Sequence, residues 1–355
     1  MEEGVQTTDF QSLLVFASLV YIGLYSNNFL NLIVKNPKYL SMNQNIFNLN
    51  IKINLQMKKN INFILIFLLL IGCNNNSEIE NKKLTYLADK IPDLEPIEFK
   101  KDLVQTNQLI HRGVFSPDFE EYYYTISDTS FEHFDVYCIR KINGKWSDPK
   151  KAFFNSNYNE HGMSFSSDGK SLFFSSTRPT HKAGIQSTWH IWKSQKVNGE
   201  WSEAKFLDIP NLRDKLVSHP SVANEGTLYF HVSNLDYSEM DIYYSKLKKG
   251  KYQNAEKVEI PQELETGKCT PFISPKGDYI LFASIGEQLD LMISHNNGKD
   301  GWTKAQKLSK NINKFGQGNP YVTSDNQFLF FASGEHSTKN WSIKWVNFEY
   351  VLENN

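Results

Sequence analysis

Phe165-Ser166-Ser167-Asp168-Gly169-Lys170-Ser171-Leu172-Phe173-Phe174-Ser175-Ser176 decides the fold of this chain. A short strand ends in a Ser-Asp-Gly-Lys turn, where Gly169 supplies the positive φ that a tight hairpin needs. The returning strand opens Leu172-Phe173-Phe174, apolar on successive residues. Strict alternation would mean a sheet with one wet face, whereas an unbroken apolar triplet means burial on both faces.

The unit recurs along the chain. Val114-Phe115-Ser116-Pro117-Asp118, Ser221-Val222-Ala223-Asn224-Glu225, Phe272-Ile273-Ser274-Pro275-Lys276 and Tyr321-Val322-Thr323-Ser324-Asp325 align with Ser164-Phe165-Ser166-Ser167-Asp168. The anchors Phe115, Phe165, Val222, Ile273 and Val322 are 50, 57, 51 and 49 residues apart, a period that suits a four-stranded propeller blade. The apolar triplet returns as Tyr122-Tyr123-Tyr124, Leu228-Tyr229-Phe230, Ile280-Leu281-Phe282 and Leu329-Phe330-Phe331. Third strands open at Asp135, His190, Asp241, Asp290 and Ser342. Glycine turns such as Asn143-Gly144 and Asn198-Gly199 then place Trp146, Trp201, Tyr252 and Trp302 at the start of an outer fourth strand. The fifth repeat runs out at Tyr350-Val351-Leu352 without such a strand, while Pro96 to Val104 carries the outer-strand pattern with nothing before it to pair with. The expectation is an all-β, five-bladed propeller of four-stranded antiparallel blades over 95–355, closed by an N-terminal outer strand. The alternative is six blades, with a degenerate one from Leu84 to Val104.

Ser116-Pro117-Asp118, Phe165 to Lys170 with Leu172 to Ser176, Asp241-Ile242-Tyr243 and Ser176-Thr177-Arg178-Pro179 resemble the TolB-like propeller repeat, a relative of the WD repeat. The resemblance covers about 95–348 and implies a bacterial envelope propeller, periplasmic or associated with the outer membrane, that binds partners. TolB itself has six blades and an extra N-terminal α/β domain, so a role in the Tol system is not implied.

Charge and leader set the address. Lys+Arg at 38 against Asp+Glu at 39 gives no field to recruit nucleic acid or an anionic bilayer. With 40% hydrophobic and 14% aromatic residues, disorder throughout is excluded. Met57-Lys58-Lys59, an apolar run from Ile61 to Leu70 and Leu70-Ile71-Gly72-Cys73 read as a secretory signal ending in a motif that resembles the bacterial lipobox, with the Cys73 thiol lipidated. The run is too short for the roughly 20 residues of a spanning helix. The expected organisation is a non-native or disordered extension over 1–56, a lipoprotein signal peptide over 57–72, a polar tether over 73–94 and then the propeller. Cys138 and Cys269 fall in different repeats and are expected as buried free thiols.

No catalytic signature is assembled. Gly162-Met163-Ser164-Phe165-Ser166 lacks the second glycine of a nucleophile elbow, and no phosphate loop, His-Glu-x-x-His or Cys-x-x-Cys occurs. Ser166-Ser167-Asp168-Gly169 has the wrong spacing for a sialidase Asp-box. Chemistry must then come from geometry. Residues three or four before each anchor, His111-Arg112, His161, Ser218-His219, Cys269-Thr270 and Gly318-Asn319, are expected at one entrance of the central channel. Histidines clustered there suit a metal or an anionic ligand, or else hydrogen bonds to neighbouring blades' backbone; no metal or cofactor is assigned. Arg178, in a long loop after the second strand of its repeat, is the sixth candidate beside His111, Arg112, His161, His219 and Asn319. Asp135, Asp241 and Asp290 are expected to be structural, accepting backbone N–H groups. The functional expectation is a lipid-anchored, monomeric envelope propeller that binds a protein or glycan without catalysis. The alternative is a glycan-cleaving enzyme, which requires two carboxyl groups about 5 to 9 Å apart in the funnel.

Overall fold

The structure is a computed structural model that describes residues 78–83, 85–103, 108–264, 266–335 and 340–353. The expected extension, signal peptide and lipidation site Cys73 lie outside the described residues. Five antiparallel sheets form five blades, each with its inner strand first in the repeat. The inner strands are Gln108–Phe115, Glu160–Phe165, Leu216–Val222, Gly267–Ile273 and Gly316–Val322. The second strands, which carry the apolar triplets, are almost wholly buried, Tyr122, Leu172, Leu228, Ile280 and Leu329 all at 0% exposure. Burial on both faces follows from their place between neighbouring blades.

The ring closes as the sequence pattern anticipates, with five blades. Ile97–Glu98 pairs antiparallel with Asn340–Asn347, Ile97 opposite Trp345 and Glu98 opposite Lys344, and the Phe99 N–H donates to the Ile343 carbonyl at 2.8 Å. The outer strand of the last blade therefore comes from the N-terminal side of the first, and among the described residues between Leu84 and Val104 no sixth blade is built. Phe99 locks the closure, its ring against Tyr122, Phe330 and Trp345 at 5.2, 5.0 and 5.4 Å. The described part of the expected tether is not free chain. Residues 78–83 are helical, and Tyr86 is buried among Phe115, Phe119, Phe328 and Trp345, its hydroxyl donating to Asp325. The chain ends in the helix Phe348–Glu353.

The repeated Ser-x-Asp turn has a single physical cause. Ser166 Oγ donates to Asp168 Oδ1 at 2.6 Å and accepts the Ser171 N–H at 2.9 Å, while Asp168 also accepts the Lys170 N–H. Ser116 with Asp118 and Thr323 with Asp325 repeat the arrangement. Two expectations shift in detail. Trp146 and Trp201 lie on small two-residue hairpin strands, and the outer strands proper, Lys150–Lys151 and Lys205–Phe206, start later. At the bend Ser147, Ser202 and Thr303 hydroxyls accept the Arg140, Gln195 and His295 N–H groups, so side chains replace a rung of the ladder. Asp135, Asp241 and Asp290 pair chiefly with outer-strand lysines, Lys151, Lys257 and Lys307, at 2.8, 2.7 and 2.7 Å; among the described residues only Asp241 also takes a backbone N–H, from Ile242.

Truncating the closure residue gives a direct test. Phe99→Ala is expected to lower unfolding free energy by about 3–5 kcal/mol in urea, against less than about 0.5 kcal/mol for the exposed control Ile142→Ala; equal effects would remove Phe99 from the closure.

Candidate functional site: the central channel

Each inner strand carries a β-bulge at the same place, between Ile110 and Gly113, His161 and Ser164, Ser218 and Ser221, Cys269 and Phe272, and Gly318 and Tyr321. The residue three before each anchor sits in it: Arg112, Gly162, His219, Thr270 and Asn319. Gly162, His219, Thr270 and Asn319 have φ of 63°, 55°, 48° and 53°. For non-glycine residues this region costs of order 1–3 kcal/mol and persists where the surroundings over-determine it. Here the surroundings are hydrogen bonds to the preceding blade. The His219 N–H donates to Ser175 Oγ at 2.9 Å, the Thr270 N–H to His231 Nδ1 at 3.3 Å, and the Asn319 N–H to Thr270 Oγ1 at 3.1 Å. Pro220, Pro271 and Pro320 follow, lacking an N–H to return to the ladder. At Gly162 a Cβ would meet the His219 Cα at 3.1 Å, so glycine is needed for space as well as for φ.

The bulges gather the histidines. The His161 ring lies 4.3 Å from His219, which lies 4.7 Å from His231; Trp189 packs on His161 at 4.0 Å, and Phe134 contacts both His161 and His111, at 5.5 and 5.4 Å. His111 Nε2 shares a hydrogen bond with Ser127 Oγ at 2.7 Å. The imidazoles overlap as tilted rings, and among the described residues no group of three or more His, Cys, Asp or Glu side chains is placed to hold a metal ion. Burial pushes His111 down to about 4 and His231 to about 3. It also holds His161 and His219 well below the usual imidazole range, reinforced by the neighbouring imidazoles and Arg112. All four are neutral at pH 7.

Arg112 takes the bulge position of the first blade. It is 1% exposed, and its Nε and Nη1 have no hydrogen-bond partner among the described residues. Burial lowers it to about 10, with only the Tyr321 phenol opposing. It is one of the residues lining a cavity of about 290 Å³ whose walls carry Val114, Phe115, Met163, Phe165 and Ile273 and whose rim is formed by Pro117, Ser167, Asn224, Pro275 and Ser324 of the first turns. Among the described residues no Asp or Glu lines it.

Arg178 does not join this group. Its Nη2 pairs with Glu160 at 2.8 Å and its Nε donates to Ser176 Oγ at 2.9 Å. The guanidinium lies 5.3 and 5.2 Å over Phe174 and Trp192, which belong to the seam between the first two blades. Glu160 is completely buried and also accepts from Ser156 and Ser176. This pair clamps a loop. Of the sequence candidates, the structure brings His161 and His219 into ring contact, links His111 to them through Phe134, and connects Asn319 to the same layer through Thr270. Sequence reasoning missed His231 and Ser175. The signal was present: the residue after each apolar triplet is Thr125, Ser175, His231, Ala283 or Ala332, small except at His231.

Comparison with known proteins finds distant structural likeness alone. No protein family and no curated protein matches the chain. Among solved structures, TolB from Acinetobacter baumannii is similar with TM-score 0.42 and 13% identity, over 68% of this chain and 55% of that one. The endo-arabinase from Bacteroides thetaiotaomicron has TM-score 0.41 and 14% identity over 72% and 96%. A Dyadobacter fermentans protein of unknown function has 0.44 and 10% over 72% and 83%. The chain thus spans about half the length of TolB.

Two outcomes test the site's energetics. The unfolded-state imidazole titrates near 6.5, above its folded value, so acid favours unfolding: stability is complete above pH 6.5 and is lost as pH falls toward the folded values. His231, folded value about 3, accounts for about 2 kcal/mol of loss at pH 5. His231→Asn, which keeps an acceptor for Thr270, should show a shallower fall in Tm between pH 7 and 5; an identical slope would contradict the buried neutral imidazole. Arg178→Met should lose about 3–5 kcal/mol by stranding Glu160, and Arg178→Met/Glu160→Leu should recover most of it in a double-mutant cycle.

Proposed function

We propose that the protein is a lipid-anchored envelope propeller that binds a protein or ligand in its central channel without catalysis. The observation that carries the reading is the lining of that channel. Apolar side chains, serine hydroxyls, the Asn224 amide and the unpaired Arg112 guanidinium line it, and among the described residues its wall holds no carboxylate, whereas glycan cleavage draws on two. Strained bulge residues in non-glycine left-handed backbone cluster where scaffolds store function. The anchor reading rests on the Leu70-Ile71-Gly72-Cys73 motif behind an apolar run. Among the described residues no helix is long and apolar enough to cross a membrane. Asn74 at the second mature position carries no acidic signal for inner-membrane retention, which favours an outer-membrane address. The partner is an envelope protein or glycan, met by a monomer, with no nucleic acid and no cofactor.

Two experiments check this reading. In a Gram-negative host the wild type should enter the Triton detergent phase, while Cys73→Ser should stay aqueous at precursor mass; unchanged partitioning and mature mass would refute lipidation. Immobilised wild type should capture a component of envelope extract that Ser167→Trp/Asn224→Trp, which narrows the channel rim, does not; release of new reducing ends from envelope glycans would replace binding with the glycosidase reading.

A further inference from the structure

Two guanidiniums, one half-buried and one buried, sit in this propeller in opposite circumstances. Arg178 is answered by the buried Glu160 carboxylate at 2.8 Å. Arg112 is more deeply buried, at 1% exposure, and no carboxylate answers it among the described residues. Its Nε and Nη1, on different edges of the fork, are without partners. A buried charge persists when something pairs with it, and here the neighbouring groups cannot. The imidazoles around it are neutral, the Tyr321 hydroxyl donates to the Phe115 carbonyl, and among the described residues no Asp or Glu lines the cavity that Arg112 borders.

Deepening the binding reading above, on which this inference rests, we propose that the channel takes a carboxylate borne on a small apolar body, entering between the exposed turns and pairing its carboxylate with Arg112. The rim residues Ser167, Asn224 and Ser324 are exposed, so the cavity is reached from the turn face. Behind the rim the wall is mainly apolar, with Val114, Phe115, Met163, Phe165 and Ile273 contributing and Ser164 and Ser221 as the polar exceptions. That wall suits a hydrocarbon body. A phosphate or sulfate, with more lone pairs to satisfy, would meet one guanidinium and little else. A cavity of about 290 Å³ is at the lower limit of the roughly 300–1,000 Å³ of small-molecule sites, so it holds one small group or the end of a larger partner. The same chemistry is offered by a free organic acid and by the C-terminus of a peptide ending in an apolar residue.

Calorimetric titration of the full propeller, residues 74–355, with 4-phenylbutyrate and with its neutral amide reads the charge directly. The acid is expected to bind at one site and at least about tenfold more tightly than the amide, the scale of a charge-assisted hydrogen bond in a buried site. N-acetyl-Ala-Leu with a free C-terminus, run beside its C-terminal amide, forms the peptide arm; the tighter of the two acids assigns the source. Arg112→Met should erase the acid-over-amide preference in both arms while raising Tm, because an unpaired charge is replaced by an apolar chain of similar length. Should that variant fail to fold, Ser167→Trp/Asn224→Trp supplies the second reading and should weaken both acids at least tenfold. Equal binding of acid and amide to the wild type, a preference surviving in Arg112→Met, or no binding of any probe overturns the proposal. Envelope capture that persists while all probes fail leaves the binding module standing and removes the carboxylate alone.

Discussion

The backbone N–H of the inner-strand bulge is the constraint on which the channel depends. A bulge leaves one residue out of the ladder, and in a closed ring its N–H points where only the neighbouring blade can accept it. Ser175, His231 and Thr270 do so for His219, Thr270 and Asn319. Each bond ties one blade to the next. Inter-blade cohesion and the buried histidine layer therefore come from the same residues.

This coupling explains why polar groups line the interior of a protein whose blades otherwise meet through aromatic and aliphatic seams. Apolar clusters hold each pair of blades together farther out, as Phe154, Phe174 and Trp192 do between the first and second. Near the axis the backbone itself demands acceptors, so hydroxyls and imidazoles replace hydrocarbon. The imidazoles are neutral because the ring closes around them; a buried histidine serving as acceptor for a backbone N–H, as His231 does for Thr270, must leave its Nδ1 unprotonated.

Much of the fold was legible in the sequence because a repeat presents the same evidence five times. The Ser-x-Asp turn, the apolar triplet and the orphan outer strand at Ile97 together specified blade, number and closure. The histidine layer was legible in part, since distance from the anchor placed His161 and His219 at one level. His231 escaped because it lies on a different strand, and contact across two strands of one blade depends on pleat and register rather than on period. Arg178 was misleading for a related reason: its loop position says nothing of the buried Glu160 that draws it inward. Tyr86 lay in a stretch outside the repeats, and its burial depends on a hollow to which residues more than 200 positions later, Asp325 and Phe328, contribute.

The strand that completes the last blade has a consequence for how the protein reaches its folded state. Ile97 faces Trp345, 248 residues further along the chain. Contacts of such sequence separation are slow to form, since the loop entropy is lost before the pairing is gained. Until residue 345 has been made, Ile97–Glu98 has no partner and the fifth blade no finished edge. A chain emerging N-terminus first thus carries an open β edge throughout synthesis, a template for pairing between chains. The closing strand has only two residues, Ile97 and Glu98, and a two-residue edge offers a stray strand little to join.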